Sequence, residues 1–406
     1  MRKVTIVTEY FGLDDSATGK LMSQLASRLV HQFKVQVITG KSVRQETPSA
    51  GNISSSDDHV AVVRLPSTRL QKQHFALRLL DWFTFIVLAS IRLLFTDRKA
   101  VLLVLTNPPT LPVVGLILKA LRKQPFILVI HDVYPDIAIE LGVVRDGLIT
   151  RMWKAINGWV YAAADKIVVL SSTMKEAVER QTQFGANVNS KILVIPNWED
   201  PNFIVPIEKA ANPFSQQHGY TSKLTIVYSG NLGLQHDLMT LLHAAKGLTD
   251  YPLKFVIIGD GAQRGRLMKY VRDHKLPNVD FHPYQPSEKV PTTLTCGDVL
   301  VVTTDARVKG LCVSSKLYSS MAAGRAILAI SPRDTEVATT VNRARCGFVT
   351  APGDDDAVIK HVISWLAHPK SVAAMGSRAR SHFESFYTID RAVKAYAEVL
   401  NHCLPN

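Results

Sequence analysis

The chain has 406 residues, too many for one ordinary hydrophobic core, so two domains are expected. A formal charge of +13 favours an anionic partner: a phosphorylated substrate, a nucleic acid or an acidic membrane surface. The four cysteines (Cys296, Cys312, Cys346, Cys403) are scattered and form no CxxC pair, which argues against a disulfide framework or a zinc site and for reduced thiols in a cytoplasmic protein.

The first predicted strand, 3–8, leads into the stretch FGLDDSATGKLM at 11–22. A nucleotide-binding P-loop needs four residues between its first Gly and the Gly-Lys pair, then Ser or Thr. Here six residues separate Gly12 from Gly19, and Leu21 follows Lys20. The dinucleotide fingerprint GxGxxG is also missing. What remains is a glycine at a strand-to-helix junction, where backbone can approach a ligand or a facing domain, before a helix expected over 21–30. Glu9 stands where a secretion signal would have its apolar core, so no leader is expected.

Further strands are predicted at 34–39, 61–64, 101–106, 126–131, 166–171 and 192–195, with helix-like runs between most of them. The apolar run 82–91 is ended by Arg92, too short to span a bilayer. The uncharged run 100–118 is cut by Pro108, Pro109 and Pro112, and reads as a strand, a Pro-Pro turn and a helix start. Between Arg64 and Lys123 there are ten bases and two acids, interleaved with Phe75, Trp82, Phe83 and Phe85. Basic and aromatic residues on helix-forming stretches suit a protein lying on an anionic leaflet, with Arg69, Lys72, Arg78, Trp82 and Arg92 as candidate contacts. A solvated basic face is the plainer reading. No nucleic-acid module is recognisable, so no nucleic-acid partner is expected.

A turn-rich linker follows at 196–220. The strand–helix alternation then restarts, with strands at 224–228, 254–258, 279–282, 299–303, 326–330 and 347–350. Helices are expected at 317–323, 357–367 and, as one tail, 372–403. The fold class is therefore α/β, two doubly wound parallel-sheet domains of similar size, with ligands expected outside the carboxyl ends of the strands in a cleft between them. The expected division is 1–200, 201–385 and a C-terminal helix over 386–406 that packs back on the first domain.

Three glycine turns follow strands of the second half: Gly230 and Gly233, then Gly259 and Gly261, then Gly310 ahead of Ser314-Ser315-Lys316. Hydroxyls, a lysine and helix-start amides together make a seat for a diphosphate. In the first half, His131 and Asp132 end a central strand, where an imidazole can hydrogen-bond a sugar or phosphate. A lone His-Asp pair is as readily structural. The acids Asp354, Asp355 and Asp356 precede an apolar helix and read as its cap, not as metal ligands.

The ordered set of motifs resembles retaining family 4 glycosyltransferases of the GT-B fold, in the bacterial branch that builds O-antigen, capsule and colanic-acid-type polysaccharides. The segments that carry the resemblance are TNPPTLPVVGLILKALRKQPFILVIHDVYPD (106–136), VIPNWED (194–200), YSGNLG (228–233), IIGDG (257–261) and SSKLYSSMAAGRAI (314–327). The resemblance implies two Rossmann-like domains, the first binding acceptor and the second a nucleotide-sugar. It implies transfer of a hexosyl or N-acetylhexosaminyl group to a hydroxyl of a lipid-linked, polyprenyl-diphosphate saccharide on the cytoplasmic face of the inner membrane. The anomeric configuration would be kept, and neither a cofactor nor a metal is implied.

Carried over by position, His131 would hydrogen-bond the donor sugar or diphosphate. Ser314, Ser315 and Lys316 would hold the diphosphate, Gly230 and Asn231 would approach it, and Gly259, Gly261 and Tyr284 would line the base pocket. Tyr10, Gly19 and Asp136 would face the acceptor. Other polysaccharide-biosynthesis proteins are further candidate partners. Two positions depart from the family: where it typically has two glutamates eight apart, this chain has Leu311 and Ser319. Ser319 retains a hydroxyl for a ribose. The basic pair that often clamps the phosphates falls near Asn231 and His236. These departures motivate an alternative, a catalytically silent GT-B protein that partners an active transferase.

Overall fold

The computed structural model describes residues 1–12, 16–40, 60–66, 75–182 and 188–403, with side chains from residue 80 onward in the helix that begins at Phe75. The chain divides into two compact units, Met1–Pro196 with Ile389–Asn406, and Asn197–Thr388.

Unit 1 alternates strands and helices: β1 (Arg2–Val7), α1 (Ala17–Leu29), β2 (Phe33–Thr39), β3 (Ala61–Arg64), α2 (Phe75–Leu94), β4 (Val101–Leu105), α3 (Pro112–Arg122), β5 (Phe126–Ile130), α4 (Asp136–Glu140), α5 (Leu148–Ala163), β6 (Lys166–Val169), α6 (Ser172–Gln181) and β7 (Ile192–Val194). The strands form one parallel sheet in the order β3-β2-β1-β4-β5-β6-β7. The central strands VLLVL and FILVI are buried at every position. Helices on both faces leave no solvent side, so these strands read as unbroken apolar runs instead of alternating ones. The helix α1 starts where Ser16 accepts a hydrogen bond from the Gly19 amide, and buries Leu21, Met22, Leu25, Ala26 and Leu29 at helical spacing.

Unit 2 contains α7 (Pro213–His218), β8 (Leu224–Ser229), α8 (Met239–Lys246), β9 (Leu253–Ile258), α9 (Arg264–Asp273), β10 (Val279–His282), α10 (Val290–Leu294), β11 (Val299–Thr303), α11 (Lys316–Ala322), β12 (Ala326–Ile330), α12 (Glu336–Ala344), β13 (Gly347–Thr350), α13 (Asp355–Ala367) and α14 (Pro369–Phe386). Its parallel sheet has the order β10-β9-β8-β11-β12-β13. In both sheets the order reverses beside the first strand, between β1 and β4 and between β8 and β11. Loops leaving adjacent strands there diverge to opposite faces and open a crevice at the carboxyl edge.

The tail predicted as one helix is two. The first, α14, ends at Phe386 and packs in unit 2 on α11 and β12. Thr388 then pairs with Glu199, and the Glu199 amide donates to the Tyr387 carbonyl at 3.1 Å. The chain next forms α15 (Ile389–Cys403), which packs on α1 within unit 1. Pairing at Glu199 takes the backbone of Thr388 out of helical bonding, which a periodicity reading cannot show. The Asp354 carboxylate accepts from the Ala357 amide at 3.0 Å, so this acid caps α13.

A Cβ on Gly347 would overlap the Ile327 carbonyl of the neighbouring strand. Gly347→Ala should therefore destabilise unit 2 by roughly 1–3 kcal/mol, read as a lowered urea midpoint with unchanged slope.

Candidate active site

In unit 1, the loops leaving β1, β4 and β5 lie side by side at the carboxyl edge. The Glu9 amide donates to the Asn107 carbonyl at 3.0 Å, and the His131 amide donates to Thr106 Oγ1 at 3.1 Å. These bonds hold His131 at the mouth of the crevice. Its ring is buried, and Nε2 has no hydrogen-bond partner among the described residues. Burial pushes the imidazole down to about 4, so it is neutral at pH 7. The neighbouring Asp132 carboxyl is pushed up to about 6 by the same cause. A neutral imidazole with one uncommitted nitrogen can bond a hydroxyl or an oxyanion without bringing a charge of its own.

The other first-half candidates divide. Tyr10 is half-buried in the loop after β1, and its carbonyl accepts from Thr8 Oγ1 at 3.2 Å. Gly19 is not a loop residue. It lies in the first turn of α1, buried, with its amide engaged by Ser16, while the left-handed turn conformation falls on Gly12 at φ 148°. Asp136 is already engaged within unit 1. One of its oxygens pairs with Lys154 Nζ at 2.6 Å and the other accepts from Gln181 Nε2 at 2.6 Å, so the carboxylate ties α4 to α5 and α6.

Of the membrane candidates, Arg69 and Lys72 lie outside the described residues, as does the side chain of Arg78. Arg92 is half-buried. Trp82 is buried in the core and cannot touch a membrane. It shares the inward face of α2 with Phe85, Ala89 and Leu93, whereas Leu80, Phe83, Val87, Ile91 and Leu94 share the exposed one.

In unit 2, the loops after β8 and β9 interlock. The Gly230 amide donates to the Ile258 carbonyl at 2.8 Å, and the Leu232 amide to the Asp260 carbonyl at 2.8 Å. Gly259 has φ 144°, and a Cβ there would overlap the Gly230 carbonyl; Gly261 at φ 150° would meet Asn231 and Leu232. These two glycines are therefore required by loop-on-loop packing. Gly230 serves a different neighbour: a Cβ on it would sit 2.7 Å from Lys316 Cε. Asn231 is exposed, and so is Tyr284, two residues beyond β10.

Lys316 is the centre of this edge. Its Nζ lies 3.1 Å from His236 Nε2 and 5.2 Å from the centroid of the Tyr228 ring. The other nitrogen of His236, Nδ1, is 3.0 Å from the Thr303 carbonyl, so Nδ1 carries the proton and Nε2 accepts from the lysine. Burial, and secondarily the Lys316 charge, push His236 down to about 3. It is a neutral acceptor that aims the amine, not a second base. Burial pushes Lys316 down to about 8, leaving it cationic at pH 7. Ser314 Oγ is buried with no partner among the described residues, and Ser315 makes no capping bond at the start of α11. Ser319 Oγ donates to the Lys316 carbonyl at 3.2 Å, which leaves it able to accept from a ribose rather than donate. Leu311 is buried and offers nothing polar. An amine, two hydroxyls and a backbone turn without Cβ atoms can together hold an anion of diphosphate type.

Residues 17–198 match the family model described as glycosyl transferase 4-like domain, and residues 212–382 match glycosyl transferases group 1. The two spans take in most of the chain. The protein is a GT-B glycosyltransferase. Over 389 residues it is 24% identical to WbjE of Pseudomonas aeruginosa, which is named a glycosyltransferase, across 96% of this chain and 95% of the other. WcaI of Escherichia coli K12, whose name assigns it to colanic acid biosynthesis, is 27% identical over 204 residues, 49% of each chain. The solved structure of HepE from Anabaena in complex with UDP shares the fold at a TM-score of 0.75 and 14% identity, covering 98% of this chain and 100% of that one.

Within this glycosyltransferase, reasoning from sequence missed the role of His236. At most one weak base was visible there in place of the family's basic pair; the His236 tautomer follows from the Thr303 carbonyl, which the sheet brings beside it. Both buried histidines should remain neutral well below the ordinary histidine range. In an NMR titration from pH 8 to pH 5, the His131 and His236 ring signals should stay at neutral-imidazole shifts, with His236 as the Nδ1–H tautomer. Titration of either near pH 6.5 would contradict the burial argument.

Proposed function

We propose that this glycosyltransferase moves a hexosyl or N-acetylhexosaminyl group from a nucleotide-diphosphate-sugar to a hydroxyl of a lipid-linked, polyprenyl-diphosphate saccharide in cell-surface polysaccharide synthesis. Transfer retains the anomeric configuration, needs no metal and takes place on the cytoplasmic face of the inner membrane. The observation that carries the donor half is Lys316, a half-buried amine aimed by a neutral His236 beside Gly230 and the unpartnered Ser314 hydroxyl. A solved relative in fold holds UDP, which supports a nucleotide donor. Unit 2 thus takes the diphosphate, with Lys316 countering its charge. In unit 1, the neutral His131 ring can bond a sugar hydroxyl or an oxyanion through Nε2.

The name of WcaI supports a surface polysaccharide as product. The exposed stripe of Leu80, Phe83, Val87, Ile91 and Leu94 on α2, with Arg98 and Lys99 exposed just beyond it, supports contact with an anionic leaflet. No described helix is long and apolar enough to cross a membrane. The second reading, a silent partner of an active transferase, draws on Leu311, which is buried where the family has an acid.

Calorimetry against UDP, GDP, dTDP and ADP tests the donor half. One nucleotide should bind saturably, and Lys316→Ala should weaken it several-fold or more, since a hydrogen bond to a charged group contributes about 1.5–3 kcal/mol. The amine loses its proton as pH rises through about 8, so affinity should be highest below pH 8 and fall above it in the wild type only. No binding of any nucleotide would favour the silent partner. The membrane half predicts that Phe83→Ser with Ile91→Ser, or neutralising Arg69, Lys72, Arg78 and Arg92 together, weakens flotation with anionic liposomes; unchanged flotation in both would remove it.

A further inference from the structure

Unit 1 carries a second apolar feature that the sequence motifs did not single out. A pocket of about 320 Å³ opens between the start of α3 and the outer face of α5. Its walls are Pro109, Pro112, Val113, Ile149, Met152 and Ile156, closed by Trp153, with no charged side chain among the lining residues. The volume is at the small end for a ligand site and suits a length of chain better than a whole molecule. At its mouth α5 exposes large apolar residues to solvent: Leu148 is 75% exposed, Ile149 77%, Met152 58% and Trp159 65%. They recur at helical spacing, so one face of α5 is apolar over its whole length.

We propose that this pocket takes hydrocarbon from the lipid portion of the acceptor, with the exposed face of α5 lying on the membrane around it. The proposal rests on the lipid-linked acceptor proposed above and says where that lipid sits. Three observations choose a lipid over another occupant. The first is charge: Lys154 is paired with Asp136, but α5 also exposes Arg151 and contains no acid, so an anionic phosphate beside an apolar chain can meet a cation there. The second is continuity. The helix α3 packs against both α2 and α5 and exposes Ile117 and Leu121, so three neighbouring helices present apolar residues outward. The third is position. Trp153 stacks on Tyr134 at 6.0 Å with rings 3° from parallel, Asn157 donates to the Tyr134 carbonyl at 2.8 Å, and Lys154 holds Asp136. Three contacts thus tie the pocket wall to the segment that follows His131, which puts a bound chain beside the carboxyl edge of the unit 1 sheet. Asp136, expected to touch the acceptor, instead holds this wall in place.

The probe is 12-bromododecanoate, an anionic chain whose bromine quenches tryptophan at contact. It is added to the full-length protein in wild-type, Trp153→Phe and Ile149→Glu/Met152→Glu forms. Saturable quenching is expected in the wild type, mostly lost in Trp153→Phe, and about tenfold weaker in affinity in the charged variant. Ile149 and Met152 are exposed, so that variant should keep its melting temperature; Ile149→Ser alone repeats the test if it does not. Absent quenching, or quenching indifferent to both substitutions, overturns the proposal. So does a wild-type dimer that the charged variant dissociates in sedimentation, because the face then belongs to a second copy.

The acceptor reading has its own readout, transfer onto a polyprenyl-diphosphate sugar. The charged variant should raise KM for that acceptor about tenfold with kcat unchanged. Quenching without any such transfer keeps the hydrocarbon site and removes the acceptor reading. Transfer with an unchanged KM keeps the reading but overturns the proposal, because the acceptor's lipid then does not occupy this pocket.

Discussion

Every strand in both sheets points the same way, and the rest of the molecule depends on that constraint. Parallel strands need a crossover between each pair, and the described crossovers carry helices that cover both faces. The faces are then closed to solvent, and only the strand ends can meet a ligand. The residues capable of chemistry collect at the carboxyl edge for this reason. His131 ends β5, Tyr10 follows β1, Gly230 follows β8, and Lys316 follows the loop from β11. They are far apart in sequence, and the sheet order brings each set together.

At the edge of unit 2, the electrostatics rest on one partly desolvated amine. Withdrawal from water lowers the proton affinity of Lys316 without removing its charge at pH 7. A second cation beside it would add repulsion, and the protein instead places a neutral imidazole there. The Thr303 carbonyl takes the Nδ1 proton, so Nε2 must accept, and the lysine has a fixed direction. The glycine turns serve the same end. Gly259 and Gly261 let the loops after β8 and β9 touch, and Gly230 leaves room for the lysine stem. An amine held in advance loses less freedom when an anion arrives, which is how a sparse site can still bind.

Unit 1 shows how one helix can carry two opposed messages. In α2, Trp82 and Phe85 are core residues, while Phe83 one step away is exposed. The basic and aromatic composition of the segment suggested a membrane surface, and the exposed stripe supports that idea with different residues. In α5 the same division separates Val160 and Tyr161, which are buried, from Leu148, Ile149 and Trp159. Apolar residues that face away from a completed core are left with surface to cover.

The sequence by itself determined the strands, because a strand covered on both faces must be apolar at every position, as VLLVL and FILVI are. It also determined the repeated α/β grammar, the strand ends where glycines and His131 fall, and the helix start where the Ser-Ser-Lys stretch falls. Tertiary structure decided what depends on a neighbour distant in sequence. Asp136 became a brace because Lys154 and Gln181 reach both its oxygens. The tail broke in two because Thr388 pairs with Glu199. His236 became an acceptor because Thr303 lies beside it. Local pattern reports the period of burial, whereas a side chain's partner is set by how the sheet is ordered, and no local window contains that.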